Sequence, residues 1–304
     1  MESSKDMFEL VPKEEKNDNQ VARPSISYWR DVSQRLAKNK VAMFGMIVIL
    51  IVVVSAIFGP MLSRYGFTNQ DLPNANSSPS IKHLLGTDKF GRDLFVRVLM
   101  GARISLTIAL AASLLSIFIG VVYGGISGFI GGTVDNIMMR AVEAIFSIPI
   151  TIYVILIMVI LGPGLKSIII AFAISFWVTM ARIVRGQIIS LKEQEFVLAA
   201  KTIGASPIRI LLKHLIPNCL GPIIVTLTLS VPDAIFQEAF LSFIGLGIAP
   251  PLASWGTLAS DALGGYQIYP YQLFFPSMAI CITMLAFNLV GDGLRDALDP
   301  KMRR

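Results

Sequence analysis

This sequence predicts an all-α integral membrane protein with six transmembrane helices, on three observations. Hydrophobic residues make up 54% of the 304 and charged residues only 15%, a balance outside the range of ordinary soluble domains. Six stretches have the length and apolarity to cross a bilayer core of about 30 Å, which takes about 20 helical residues. They are Val41–Leu62, Ile104–Gly124, Met138–Leu161, Ser167–Val184, Leu220–Leu246 and Leu273–Val290. Lysine and arginine gather beside the first, after the fourth and after the sixth: Arg30, Arg35, Lys38 and Lys40; Arg182, Arg185, Lys192, Lys201, Arg209 and Lys213; Arg295, Lys301, Arg303 and Arg304. Six spans put all three clusters on one side, and because such charges resist translocation that side is cytoplasmic, with both termini. The net charge of +6 thus reads as topology rather than as a nucleic-acid surface.

Residues 1–40 form a cytoplasmic tail. Residues 1–25 mix acids, bases and amides with few large apolar groups, the composition of a disordered segment. From Ser25 to Lys40, Tyr28, Trp29, Val32 and Leu36 lie toward one side of a helix. This suits either an interfacial helix on the inner leaflet or an extension of the first span. No cleavable leader is expected, since the first apolar run starts only after Lys40 and is too long. Residues 41–62 are the first span and 63–103 an extracytoplasmic loop, whose bases are interspersed with acids. Residues 104–304 then hold five spans.

The second span runs on into Gly120, Gly124 and Gly128. Small residues four apart let helix backbones approach closely in lipid, within one chain or between subunits. Glu143, Asp233 and Glu238 fall inside spans, where a charge costs about 2.5–3.5 kcal/mol on insertion scales, so each should face protein or water. A translocation pathway and a structural hydrogen bond are both open for each. Pro149 and Pro232 should kink their helices. Cys219 and Cys281 suggest no disulfide framework.

Three motif-like strings carry little. Gly125-Ile126-Ser127-Gly128 has the pattern of an intramembrane serine protease, but both histidines, His83 and His214, lie outside the spans. Gly86–Gly91 has phosphate-loop glycine spacing, yet Arg92-Asp93 stands where Lys-Ser/Thr is required, so no ATPase of the chain's own is expected. His83, Asp88 and Asp93 lack the spacing of a metal site. Ala200-x-x-x-Gly204 resembles a DNA-binding turn, but the flanking spans forbid that docking.

The segment at 191–218 is polar, punctuated and set between two spans. Glu195–Ile203 has good helix formers; Gly204 can supply the left-handed residue that ends a helix; Ser206-Pro207 supplies an N-cap and first-turn proline. A second helix should run from Pro207 to about Leu215 and stop before Pro217. Phe196, Ala199, Ala200, Ile203, Ile208, Leu211, Leu212 and Leu215 give the pair an apolar surface, which suits docking to a cytoplasmic protein or packing on the chain's own spans.

Ala199-Ala200, Gly204 and Pro217 resemble the EAA loop of ABC-importer permeases, with Leu198 where the motif's acid often stands and Glu195 one turn earlier. The likeness extends through HLLGTDKFGRDLFVRVLMGARISL (His83 to Leu106), ARIVRGQ (Ala181 to Gln187), EAFLSFIGLGIAPPLASWG (Glu238 to Gly256) and GDGLRDALDP (Gly291 to Pro300). These are similar to the C-type, second permease of dipeptide and oligopeptide importers. The resemblance implies a type I importer fold in a bacterial cytoplasmic membrane, and a non-catalytic permease that pairs with a homologous permease, two cytoplasmic ATPases and an extracytoplasmic solute-binding protein. It implies no cofactor in this chain, ATP and magnesium residing on the ATPases. Glu195, Ala199, Ala200, Gly204, Ala205, Ser206, Pro207 and Pro217 would form the coupling loop. Glu143, Asp233 and Glu238 would be pathway candidates. Asp88, Arg92, Asp93 and Trp255 would form an outer gate or meet the binding protein. Peptides are the substrate expected; nickel, glutathione or another small solute is the alternative within the class. A secondary transporter or an intramembrane hydrolase is the alternative outside it.

Overall fold

The computed structural model describes residues 28–299, so the expected tail at 1–25 and the bases Lys301, Arg303 and Arg304 lie outside the described residues. Helix α1, Tyr28–Lys38, ends one residue before α2, Lys40–Leu62. Asn39 separates them because its side chain accepts from the amides of Val41 and Ala42, capping α2. The segment ahead of the first span is therefore a separate helix, with Val32 buried and Tyr28 and Trp29 exposed.

Helix α3, Leu94–Ile130, starts ten residues before the expected second span. Asp93 sets that start, accepting from the amide of Val96 at 3.0 Å, so the connection read as 63–103 shortens to 63–93. The expected third span is two helices, α4 (Gly132–Phe146) and α5 (Ile150–Leu161), bent by 81°. Pro149 has no N–H to continue the ladder and disfavours helical backbone at Ile148, and Ser147 ends α4 by donating to the carbonyl of Glu143. Helix α6 is Leu165–Leu191.

Next come α7 (Glu195–Thr202), α8 (Pro207–Ile210), a π turn at Leu211–Leu215 and α9 (Ile216–Asn218), which leads through Cys219 into α10 (Leu220–Phe243). The second helix of the polar segment thus does not stop before Pro217. The amide of Cys219 donates to the carbonyls of Leu215 and Ile216, and the wide turn carries helical backbone past the proline's missing donor. Helix α11, Trp255–Ala262, and α12, Pro270–Leu298, complete the chain. Among the described residues, five helices are long and apolar enough to span, six crossings if the bent pair is one.

The bundle centres on α3 against α6. Gly120 lies against Met180 and Trp177, Gly124 against the backbone of Ala181, and Gly128 against Arg185 and Ile188. The four-residue glycine repeat is thus an intramolecular seam. Gly293 near the end of α12 touches Ala42 near the start of α2, so both described chain ends share one face. Val32, Val225, Ala297 and Leu298 pack together there, bringing the start of α10 to that face. We refer to it as the termini face.

Candidate functional site

The helix pair α7–α8 sits at the termini face. Gly204 holds φ at +78° with no atom within 4 Å of where a Cβ would stand, and Ser206 caps α8 by accepting from the amide of Arg209. Val197, Ala200, Ile210 and Leu215 are buried in a cluster with Val184 and Ile188 of α6 and Ile223 of α10. The other side of the pair is apolar and open: Phe196, Leu198, Ile203, Ile208 and Leu212 are exposed, Ile203 by 85%. Glu195, Ala199, Gly204, Ser206, Pro207 and Pro217 are exposed and Ala205 half-buried. One face of the pair therefore anchors it to the spans and the other presents a ridge to a partner.

A motif fragment that sequence reasoning discounted turns up beside this platform. The hydroxyl of Ser127 donates to Asp135 at 2.5 Å, and Arg185 grips the same carboxylate through both Nε and Nη2. Lys192 donates to the carbonyl of Gly128. These bonds tie the ends of α3, α4 and α6 together, so Ser127 is a brace. Helical spacing did not foretell this pair, because eight residues of continuous helix would hold Ser127 and Asp135 about 12 Å apart; the turn at Gly131, with φ at +72°, brings them together.

Of the three carboxylates expected inside spans, Asp233 alone lines the main interior cavity. That space is about 690 Å³, walled by α4–α6, α10 and Arg295 of α12, with Ser116, Thr179, Thr226, Ser230 and Gln237 among its polar groups. Ser175 also lines it and has a buried hydroxyl without a hydrogen-bond partner. Glu143 is elsewhere, on the exposed side of α4 and paired with Arg140 at 3.1 Å. Glu238 is fully buried among three serines. Ser242 and Ser254 donate to its Oε1 at 2.9 and 2.5 Å, and Ser105 donates to Oε2 at 3.1 Å while accepting from the amide of Trp255. Ser254 also caps α11 in a reciprocal box with Thr257. The carboxylate therefore joins α3, α10 and α11.

At the face opposite the termini, Asp88 and Arg92 pair with each other, while Asp93 and Trp255 take separate partners. Asp88 accepts from Arg92 Nε at 2.6 Å and from the amides of Phe90 and Arg92. Asp93 Oδ2 pairs with His83 Nδ1 at 2.8 Å, and the indole of Trp255, 2% exposed, donates to the carbonyl of Val98. Among the described residues, no three His, Cys, Asp or Glu side chains gather as metal ligands would.

A bent-span helical bundle with an exposed, capped helix pair at one face and a cavity of mixed polar and apolar lining suits a transport permease. The chain belongs to the family of binding-protein-dependent transport system inner membrane components, whose model matches residues 116–304, and the N-terminal TM domain of oligopeptide transport permease C matches residues 27–79. It is 53% identical to the oligopeptide transport system permease protein OppC of Bacillus subtilis (strain 168) over 99% of this chain and 98% of that one. It is 50% identical to the dipeptide permease DppC of the same strain, over 98% and 93%. OppC of Escherichia coli (strain K12) is 43% identical, over 91% and 92%. A chain of the inward-facing MetNI methionine ABC transporter superposes with a TM-score of 0.56 at 18% identity, over 68% of this chain and 96% of that one, and so shares its fold. The protein is a multi-pass inner membrane component of the bacterial ABC importer class.

Proposed function

We propose that this chain is a permease subunit of an ATP-driven peptide importer, pairing with a homologous permease to form the pathway, while two ATPases bind the termini face and a solute-binding protein the opposite face. The observation that carries this reading is the two-sided α7–α8 pair, anchored through Val197, Ala200 and Ile210 and exposing an apolar ridge around Gly204, in a chain so similar to peptide permeases. An exposed ridge of that kind calls for a protein partner.

Glu195, Ala199, Ala200, Gly204, Ala205, Ser206, Pro207 and Pro217 form the coupling element. Leu198, 51% exposed, gives it an apolar contact where an acid often stands. The termini face is cytoplasmic. Asp233 and the surrounding hydroxyls line this subunit's half of the pathway. Asp88, Arg92, Asp93 and Trp255 brace the outer gate from within, and Glu238 ties α11 to it. Glu143, outside the cavity wall, takes no part in the pathway. The chain is non-catalytic, and ATP and magnesium are held by the ATPases.

Affinity purification from the native membrane in mild detergent, followed by mass spectrometry, tests the assembly. A second permease and two P-loop ATPases should remain bound. A solitary protein that transports peptides without ATP would overturn the reading.

A further inference from the structure

A second cavity, of about 560 Å³, lies at the face opposite the termini, between the segment that precedes α3 and the loop from α10 to α11. Lys89, Arg92, Arg97, Thr257 and Asp261 stand in its wall. Helix α3 has 37 residues, about 55 Å at 1.5 Å each, against an apolar layer of about 30 Å. A helix of that length outruns the layer, and Arg97 stands in its first turn.

The cations in this wall outnumber the carboxylates they pair with. Asp88 Oδ2 accepts from Arg92 Nε at 2.6 Å and lies 3.4 Å from Arg97 Nε, an ion pair without a hydrogen bond. Asp261 lies 3.5 Å from Lys89 Nζ. Lys89, Arg92 and Arg97 thus draw on two carboxylates, Asp88 and Asp261, while the neighbouring Asp93 is committed to His83. Arg97 carries the deficit most sharply: it is 3% exposed, its Nε is buried without a hydrogen-bond partner, and its Nη1 reaches the carbonyl of Phe67 only at 3.4 Å. A guanidinium has five N–H donors and no acceptor, and a buried charged donor left unmet is costly. An anionic acceptor entering the cavity would relieve that deficit.

A free ion needs far less room than 560 Å³, a volume within the usual range of small-molecule sites, about 300–1,000 Å³. Phe90, Ile248 and Leu252 add apolar wall beside the cations. We propose that this cavity receives the C-terminal carboxylate of an incoming peptide, with Arg97 and Lys89 as its cationic partners and the apolar wall against the last side chain. The inference rests on the peptide-import reading and adds to it a subsite in the permease itself.

The test uses the complete transporter in cells, with one binding protein throughout so that its own preference cancels. Uptake of a labelled tripeptide and of its C-terminal amide is compared in wild type, Arg97→Gln and Lys89→Gln, with membrane abundance measured by immunoblot. The expected result is a fall of about tenfold in the acid-to-amide ratio of kcat/KM for Arg97→Gln, the scale of a lost charge-assisted hydrogen bond, and a smaller fall for Lys89→Gln. Equal loss for acid and amide would mean a structural role or a carboxylate of the binding protein, and would overturn the proposal while leaving peptide import intact. Wild type that takes up neither peptide would overturn the import reading itself. If Arg97→Gln fails to reach the membrane, the ratio for Lys89→Gln decides.

Discussion

At the scale of single residues, burial decides what each polar group can do. Glu238 has three hydroxyl donors and no exposed surface of its own. Glu238→Ala strands those donors at about 1–3 kcal/mol for each that finds no new partner, whereas Glu238→Gln keeps an acceptor for at least one of them. Thermal unfolding in detergent should show a large drop in Tm for the alanine variant and a small one for the glutamine; equal drops would count against the hydrogen-bond account. Cys219 is buried at the start of α10, and desolvation pushes its thiol from 9.0 up to about 11. Since the thiolate is the nucleophile, N-ethylmaleimide should leave Cys219 unmodified in native membranes at pH 7–9 and label it once the protein is denatured. Between pH 9 and 11 the unfolded thiol gives up its proton and the folded one holds it, so this group's contribution to stability falls as pH rises through that window. The sequence marked Glu238 and Asp233 as costly carboxylates but could not tell a sealed hydrogen-bond hub from a cavity wall, because the serines that decide it come from three separate elements.

At the scale of helices, close approach and punctuation carry the structure. A Cβ at Gly124 would meet the backbone of Ala181, whereas one at Gly186 would meet nothing within 4 Å. Gly124→Leu should therefore separate α3 from α6 and abolish stable accumulation, while Gly186→Ala stays neutral or gains up to about 1 kcal/mol from helix propensity; fluorescence-detected size exclusion distinguishes the two. The capped pair α7–α8 was legible from Gly204, Ser206 and Pro207, whose backbone preferences are local. Less legible were the 81° bend and the passage through Pro217: a proline announces a missing donor, yet whether the chain breaks or widens its turn depends on what packs around it. Gly204→Asp should abolish uptake while leaving the chain in the membrane. Aspartate tolerates positive φ better than most side chains, so the loss would report the docking surface rather than the fold, and normal transport by that variant would sink the coupling assignment.

At the scale of the whole molecule, the two faces differ in kind. One exposes an apolar ridge on a short helix pair; the other buries a lattice of ion pairs and hydrogen bonds around a cationic cavity. In a cysteine-free background, Ser206→Cys should react with a membrane-impermeant maleimide only in inside-out vesicles, and Lys89→Cys only in right-side-out cells. The opposite pattern would invert the topology. The fold class was readable because hydropathy acts locally, whereas the two cavities depend on contacts between elements far apart in the chain. The near-continuous helical path from Pro207 through the π turn and the turn residue Cys219 to Phe243 has a mechanical meaning. Its 37 residues form a lever about 55 Å long, with the ridge at one end and Asp233 and Glu238 toward the other. Where α10 crosses α3, Ser230 donates to Ser113 at 2.9 Å and supplies a fulcrum. The ridge sits on the longer arm, Pro207 to Ser230, and the two carboxylates on the shorter, Ser230 to Phe243, so a push at the ridge would reach Asp233 and Glu238 reduced in size and reversed in sense.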